Sequence, residues 1–284
     1  MKYELSKNRH MLLAQILGSK FFQCSRVADD FHVKLLDTDY WQWVVNRYDD
    51  FLQGNETKEV VPKIIHQVWI GSKVPKKYDH WRESWQRLNP DYEYILWDEK
   101  KILETGLHNE KQFLQANNPA IKSDLARYEL LYKFGGIYAD TDFEALKPIN
   151  VKFLTRSFIA GQIFHYAPQA ANGLMVAAPN SKILRIVIES LPEYPGEISP
   201  MEVLRYCGAF YLSKLIWKHR EQLEDIVIMP SQYFYPWPNF MIHSSHDLYS
   251  WATNETVAIH HWEMSWMKRS FTSMVVSKLR GYKV

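Results

Sequence analysis

Apolar residues recur along this 284-residue chain with two different periods, and the change falls near residue 60. Trp41, Val45, Tyr48 and Leu52 follow helix spacing behind Asp39, so residues 1–60 read as a helical extension. The polar run Gly54-Asn55-Glu56-Thr57-Lys58-Glu59 marks its end. From Val61 onward, short apolar runs at 64–70, 92–97, 137–140, 158–163, 174–178, 226–229 and 256–260 predict strands. Helix-spaced segments at 121–134, 183–191 and 201–219 alternate with them. Such alternation predicts an α/β sheet covered by helices, a single unit over residues 61–284. Ligands of such sheets bind beyond the carboxyl ends of the strands.

One strand end carries candidate chemistry. The helix-spaced run stops at Gly135-Gly136, three apolar residues follow, and then comes Asp140-Thr141-Asp142. Two carboxylates one residue apart at a strand end point to the same side and can hold a hard divalent cation. Asp37-Thr38-Asp39 repeats the tripeptide without glycines or a preceding helix, and there the acids read as helix-start residues. Within 121–134, Ile121, Leu125, Tyr128 and Tyr132 form a core stripe. Asp124 and Arg127, three apart, are neighbours on that helix, either as a surface ion pair or as part of a site.

Composition narrows the function classes. The charges nearly balance, 34 basic against 32 acidic for a net +2, so no general field for nucleic acid exists. Aromatic residues make up 15%, enough to fill a core and also to line a sugar- or base-binding cleft. Cys24 and Cys207 are the only cysteines and match no disulfide framework or zinc spacing. His243 and His246 lack the helix and Glu of a zinc protease motif and read as loop residues. The first residues lack the continuous apolar core of a signal peptide, and no run reaches the roughly 18 residues of a membrane helix, so a cytoplasmic location is expected. The Asn55 and Asn254 sequons then carry no meaning.

Ser123-Asp124-Leu125-Ala126-Arg127-Tyr128, followed by Gly135-Gly136-Ile137-Tyr138-Ala139-Asp140-Thr141-Asp142, resembles the DxD region of glycosyltransferase family 32, to which the large glucosylating toxins are related. Pro62 to Gly71 resembles the family's opening strand, Asn172 to Pro179 and Pro230 to Pro236 two inner segments, and Ala258-Ile259-His260-His261-Trp262 with Ser265-Trp266 its closing motif. The resemblance implies a GT-A type, Rossmann-like nucleotide-sugar-binding domain, a nucleotide-diphospho-sugar donor, Mn²⁺ or Mg²⁺, and retention of anomeric configuration. It further implies that Asp142 binds the metal, with Asp140 contacting it less directly and reaching the donor's ribose or sugar, and His260 as a further ligand. Asp124, Arg127 and Asn172 would hold the transferred sugar, Tyr138 would line the nucleotide pocket, Trp69 would stack on the base, and Trp266 would contact the diphosphate or glycosidic oxygen. Strand alternation sends His260 and His261 to opposite faces, so one of the two can reach a metal.

The expected activity is metal-dependent transfer of a hexose from a UDP- or GDP-sugar to a hydroxyl of a glycan or lipid-linked glycan. The alternatives are a toxin-like transferase acting on a protein side chain and a silent glycan-binding module. Two features bear on the acceptor. Cys207-Gly208-Ala209 stands where the family often has Thr-Gly-Pro, so specificity is not inherited there. Residues 267–284 carry five basic and no acidic residues among apolar positions, a pattern suited either to packing on the domain or to peripheral contact with an anionic membrane.

Overall fold

The computed structural model describes residues 12, 14–24, 38–163, 169–239, 242 and 247–263. Asp37, His243, His246, Trp266 and the basic segment 267–284 lie outside them. Six of the described strands form one sheet: β1 (Ile64–Val68), β2 (Glu93–Trp97), β3 (Gly136–Ala139), β5 (Phe158–Gln162), β6 (Ala170–Ala177) and β7 (Ile226–Met229), in the order β2-β1-β3-β6-β5-β7. Only β6 runs antiparallel to its neighbours, and the other pairings are parallel. β4 (Phe143–Ala145) and β8 (Ala258–His260) form a separate antiparallel ribbon. The chain therefore has the mixed α/β architecture expected of a GT-A type domain. β3, β5, β6 and β7 are buried throughout, which explains why they read as apolar runs without alternation.

The longer helices are α1 (Thr38–Gln53), α2 (Asp79–Leu88), α3 (Pro119–Phe134), α4 (Lys182–Glu189), α5 (Pro200–Tyr206) and α6 (Ala209–His219), with single turns at Lys20–Gln23 and Ser231–Phe234 and short helices at Glu99–Glu104 and Glu110–Gln115. α1 packs on β7 and places Trp41, Val45 and Tyr48 in the same core as the sheet. Asp39 sits in its first turn, as the cap preference suggested for this copy of the tripeptide. The segment 201–219, expected as one helix, is two: Cys207 caps α5, and Gly208 precedes α6. Helix spacing continues through the break because both pieces bury one face, so periodicity could not reveal it. α2 and the two short helices from Glu99 to Gln115 were not anticipated; their polar faces dilute the apolar pattern.

α3 is the central helix. Asn118 caps it by accepting from the Ala120 amide, Pro119 fills its first position, and it lies between the sheet and α4. Ile121, Leu125 and Tyr128 are buried as the stripe predicts, and so are Asp124, Arg127 and Glu129. The surface-pair reading of Asp124 and Arg127 is thereby corrected: packing on more than one face leaves this helix little exposed surface. Gly135 and Gly136 end it at φ +66° and +101°. A Cβ on Gly136 would stand 2.6 Å from the Ile64 carbonyl, so close strand approach and positive φ both require glycine.

Candidate active site

β3 ends at Ala139, and the Asp-Thr-Asp tripeptide occupies the turn that follows. The Phe143 amide closes that turn on the Asp140 carbonyl at 3.0 Å. A turn, and not strand alternation, thus brings the two carboxylates together. The chain then enters β4, which pairs with β8 in a register that sets Phe143 opposite His260. Asp140, Asp142 and His260 each offer one ligand atom, all within 4.8 Å of one another.

Each member is held separately. Asp142 Oδ1 lies 3.0 Å from His260 Nε2, and Oδ2 accepts from the Glu263 amide at 2.9 Å. Burial pushes the Asp142 carboxyl up, but the His260 ring and the Glu263 amide hold it below the ordinary carboxylate value. Burial, and the charge of Asp142, push Asp140 up against the pull of Arg127. Asp140 Oδ1 accepts from the Tyr138 hydroxyl at 2.7 Å and from Arg127 Nη2 at 3.0 Å. Gly173 lets the Asp140 carboxylate come close, since a Cβ there would meet Oδ2 at 2.8 Å. The His260 ring lies flat on Phe143, with Trp262 4.0 Å away and Tyr235 edge-on. Among the described residues its Nδ1 is buried without a hydrogen-bond partner. Two carboxylates and an imidazole suit a divalent cation, so the cluster could hold one.

His261 faces away from this cluster. Its Nε2 lies 3.0 Å from Glu144 Oε2, and its ring stacks on Trp81 at 4.1 Å. Alternation separates the two histidines as expected, and His260 is the one beside the carboxylates.

Arg127 connects the cluster to α3. Its Nη2 sits 3.2 Å from Asp124 Oδ1 and 3.0 Å from Asp140 Oδ1, Nη1 donates to the Asn172 carbonyl at 2.8 Å, and the guanidinium lies 4.7 Å over the Tyr138 ring. Asn172 Nδ2 donates to Asp124 Oδ1 at 2.8 Å. Desolvation raises the Asp124 carboxyl to about 6 against the pull of Arg127. Asp124, Arg127, Tyr138, Asp140 and Asn172 thus form one network, buried except at Asp140. Trp69 stands apart from that network, beyond β1, with its ring 5.0 Å from Tyr78 and its indole Nε1 buried without a partner among the described residues. Trp266 is outside the described residues.

Sequence reasoning missed several supports. Gln67, fully buried in β1, donates to the Asp140 carbonyl at 3.2 Å and accepts from the Tyr94 hydroxyl at 2.5 Å. Trp85 on α2 donates to the Phe143 carbonyl at 2.9 Å and pins the ribbon. A buried Gln inside an apolar strand was the one available signal. Tyr235 lay within a segment flagged by resemblance but had no assigned role.

Comparison with known proteins agrees with this geometry. Residues 75–159 match the family described as the glycosyltransferase sugar-binding region containing the DXD motif. The chain is 26% identical over 243 residues to inositol phosphoceramide mannosyltransferase 3 of Schizosaccharomyces pombe, covering 76% of this chain and 63% of that protein. It is 28% identical over 170 residues to the mannosyl phosphorylinositol ceramide synthase SUR1 of Saccharomyces cerevisiae, covering 56% and 42%. The chain thus spans less than two thirds of the length of these relatives. Among solved structures, the PaToxG glycosyltransferase aligns with a TM-score of 0.49 at 18% identity over 66% of this chain and 82% of that one. No helix among the described residues is long and apolar enough to cross a membrane. The DXD motif on the turn after β3 thus lies within the segment, residues 75–159, that matches the glycosyltransferase sugar-binding region.

Proposed function

We propose that the chain is a metal-dependent, retaining glycosyltransferase that moves a hexose from a UDP- or GDP-sugar to a hydroxyl of a glycan or lipid-linked glycan. The observation that carries this reading is the cluster of Asp140, Asp142 and His260 joined through one Arg127 nitrogen to Asp124. Asp142 and His260, with Asp140, would hold the cation; the imidazole favours Mn²⁺ over Mg²⁺. When bound, that ion supplies Lewis-acid stabilisation of the departing diphosphate. Asp124, Arg127 and Asn172 would hold the transferred sugar, Tyr138 would line the nucleotide pocket, and Trp69 would stack on the base. Trp266 is assigned to the diphosphate or glycosidic oxygen by its place in the closing motif.

Retention fits same-face displacement through an oxocarbenium-like state. Asp124 is a poor covalent nucleophile, because it is buried and both its oxygens already accept hydrogen bonds from the protein. A sugar trapped covalently on Asp124 would overturn that part. The activities named for the two yeast relatives make a mannosyl donor and a lipid-borne, phosphoinositol-containing acceptor the first pair to test.

The test is release of nucleoside diphosphate from a panel of UDP- and GDP-sugars with Mn²⁺ present. Turnover of one donor, abolished in Asp142→Ala, is expected. No turnover of any donor, with Asp142→Ala binding Mn²⁺ as well as the parent, would sink the proposal and leave the glycan-binding alternative.

A further inference from the structure

The break between α5 and α6 places a thiol against the sugar-facing carboxylate. Cys207 is fully buried, and its Sγ lies 3.5 Å from Asp124 Oδ2. The contact closes a ring of hydrogen bonds. Asn172 Nδ2 donates to Asp124 Oδ1 at 2.8 Å and to the Tyr128 hydroxyl at 3.1 Å, Tyr128 donates to the Cys207 carbonyl at 2.8 Å, and Cys207 returns to Asp124. A Cβ on Gly208 would stand 2.8 Å from the Leu204 Cα, so the chain can fold this tightly behind Cys207 only with glycine there. The helix break is thus part of what holds the ring together.

We propose that Cys207 is a positioning residue for Asp124: its thiol fixes the rotation of the carboxylate and leaves one Asp124 lone pair for a hydroxyl of the transferred sugar. The inference rests on the reading of this site as a sugar-transfer centre. A carboxylate offers about four acceptor positions. Asn172 and Arg127 take two on Oδ1, and Cys207 takes one on Oδ2. Asp124 is 7% exposed, so water has little access to replace the thiol. Burial and the Asp124 charge hold the Cys207 thiol well above its ordinary value, which keeps it a donor. The rival role is local: the same sulfur lies 3.8 Å from the Val203 carbonyl one turn back and could merely cap α5. The Asp124 contact is shorter, and its acceptor is a carboxylate.

Two measurements separate these roles. In a Cys24→Ser background Cys207 is the sole thiol, and its infrared S–H stretch should lie below that of a free thiol and move up on adding Asp124→Asn. An unmoved band assigns the thiol to Val203 and overturns the proposal. Cys207→Ala should bind the intact donor, either GDP-mannose or UDP-glucose according to which the parent binds, about five- to tenfold more weakly. Its affinity for GDP or UDP alone should stay within about twofold, and Cys207→Ser should recover part of the loss. Equal weakening of donor and bare nucleotide, or no weakening, would overturn it. If the parent binds neither donor while the infrared shift is present, the sugar-transfer reading fails and the placement of Asp124 by the thiol stands.

Discussion

The ring of His260 lies parallel to that of Phe143, 4.4 Å away at 9°, and these two residues are also partners across the β4–β8 ribbon. The stack fixes the plane of the imidazole and so directs Nε2 at Asp142. Phe143→Leu keeps the position apolar but removes the flat support. Mn²⁺ affinity, measured by calorimetry at a temperature where the variant is folded, should fall about three- to tenfold, as expected when the orientation of a ligand is loosened.

Metal binding should also appear as stability. If Asp140, Asp142 and His260 form the cation site, Mn²⁺ at a hundred times its Kd adds about 2.7 kcal/mol to unfolding. Asp142→Ala should abolish that increment in urea titrations with and without the ion. An equal increment in the variant would place the ion elsewhere.

Arg127 neutralises two carboxylates from within the protein. Removing it leaves the buried Asp124 and the half-buried Asp140 without their cation, and Arg127→Ala should destabilise by about 3 kcal/mol in chemical denaturation. Arg127→Lys, a point charge without the fork, should recover only part of that.

His66 should make the fold acid-sensitive. Trp97 Nε1 donates to His66 Nδ1 at 3.0 Å, which leaves Nε2–H to donate to the Gly135 carbonyl at 2.8 Å. Burial lowers the ring from 6.5 to about 4. Above pH 6.5 the imidazole is neutral in both states and stability is unaffected. As the pH falls from 6.5 toward 4 only the unfolded chain takes the proton, so stability is lost, reaching about 3 kcal/mol. His66→Asn should show that much less acid dependence in urea midpoints between pH 7 and pH 4.

Gly136→Ala should cost about 2 kcal/mol or more, since the position has φ +101° and no room beside the Ile64 carbonyl. The same change at Gly106, with positive φ but open space, should cost less. Paired thermal melts decide the order.

The sheet was legible because its strands are short apolar runs: 226–229 matches β7 end to end, and 64–70 exceeds β1 by two residues. The helix carrying Asp124 and Arg127 was legible from its stripe, while its burial on further sides was not, because that depends on α4 and β6 arriving from later in the chain. The acidic pair was visible as a tripeptide, but the turn that converges it depends on the Phe143 amide and on pairing with β8. Gln67, Trp85 and Tyr235 escaped notice because a residue's support of a distant loop leaves no periodic mark. The Thr-Gly-Pro departure was legible as a substitution, whereas the reach of its thiol to Asp124 was a matter of three-dimensional closure.

The ribbon register sets Phe143 against a residue 117 positions later. A chain emerging from the ribosome only as far as the end of β7 already holds both carboxylates, their guanidinium and all six strands of the main sheet, yet lacks His260. Long-range pairing of this kind forms late, since its closure entropy must be met before its contacts repay it. If this cluster holds a cation, the third of its candidate ligands therefore arrives only with the last described strand.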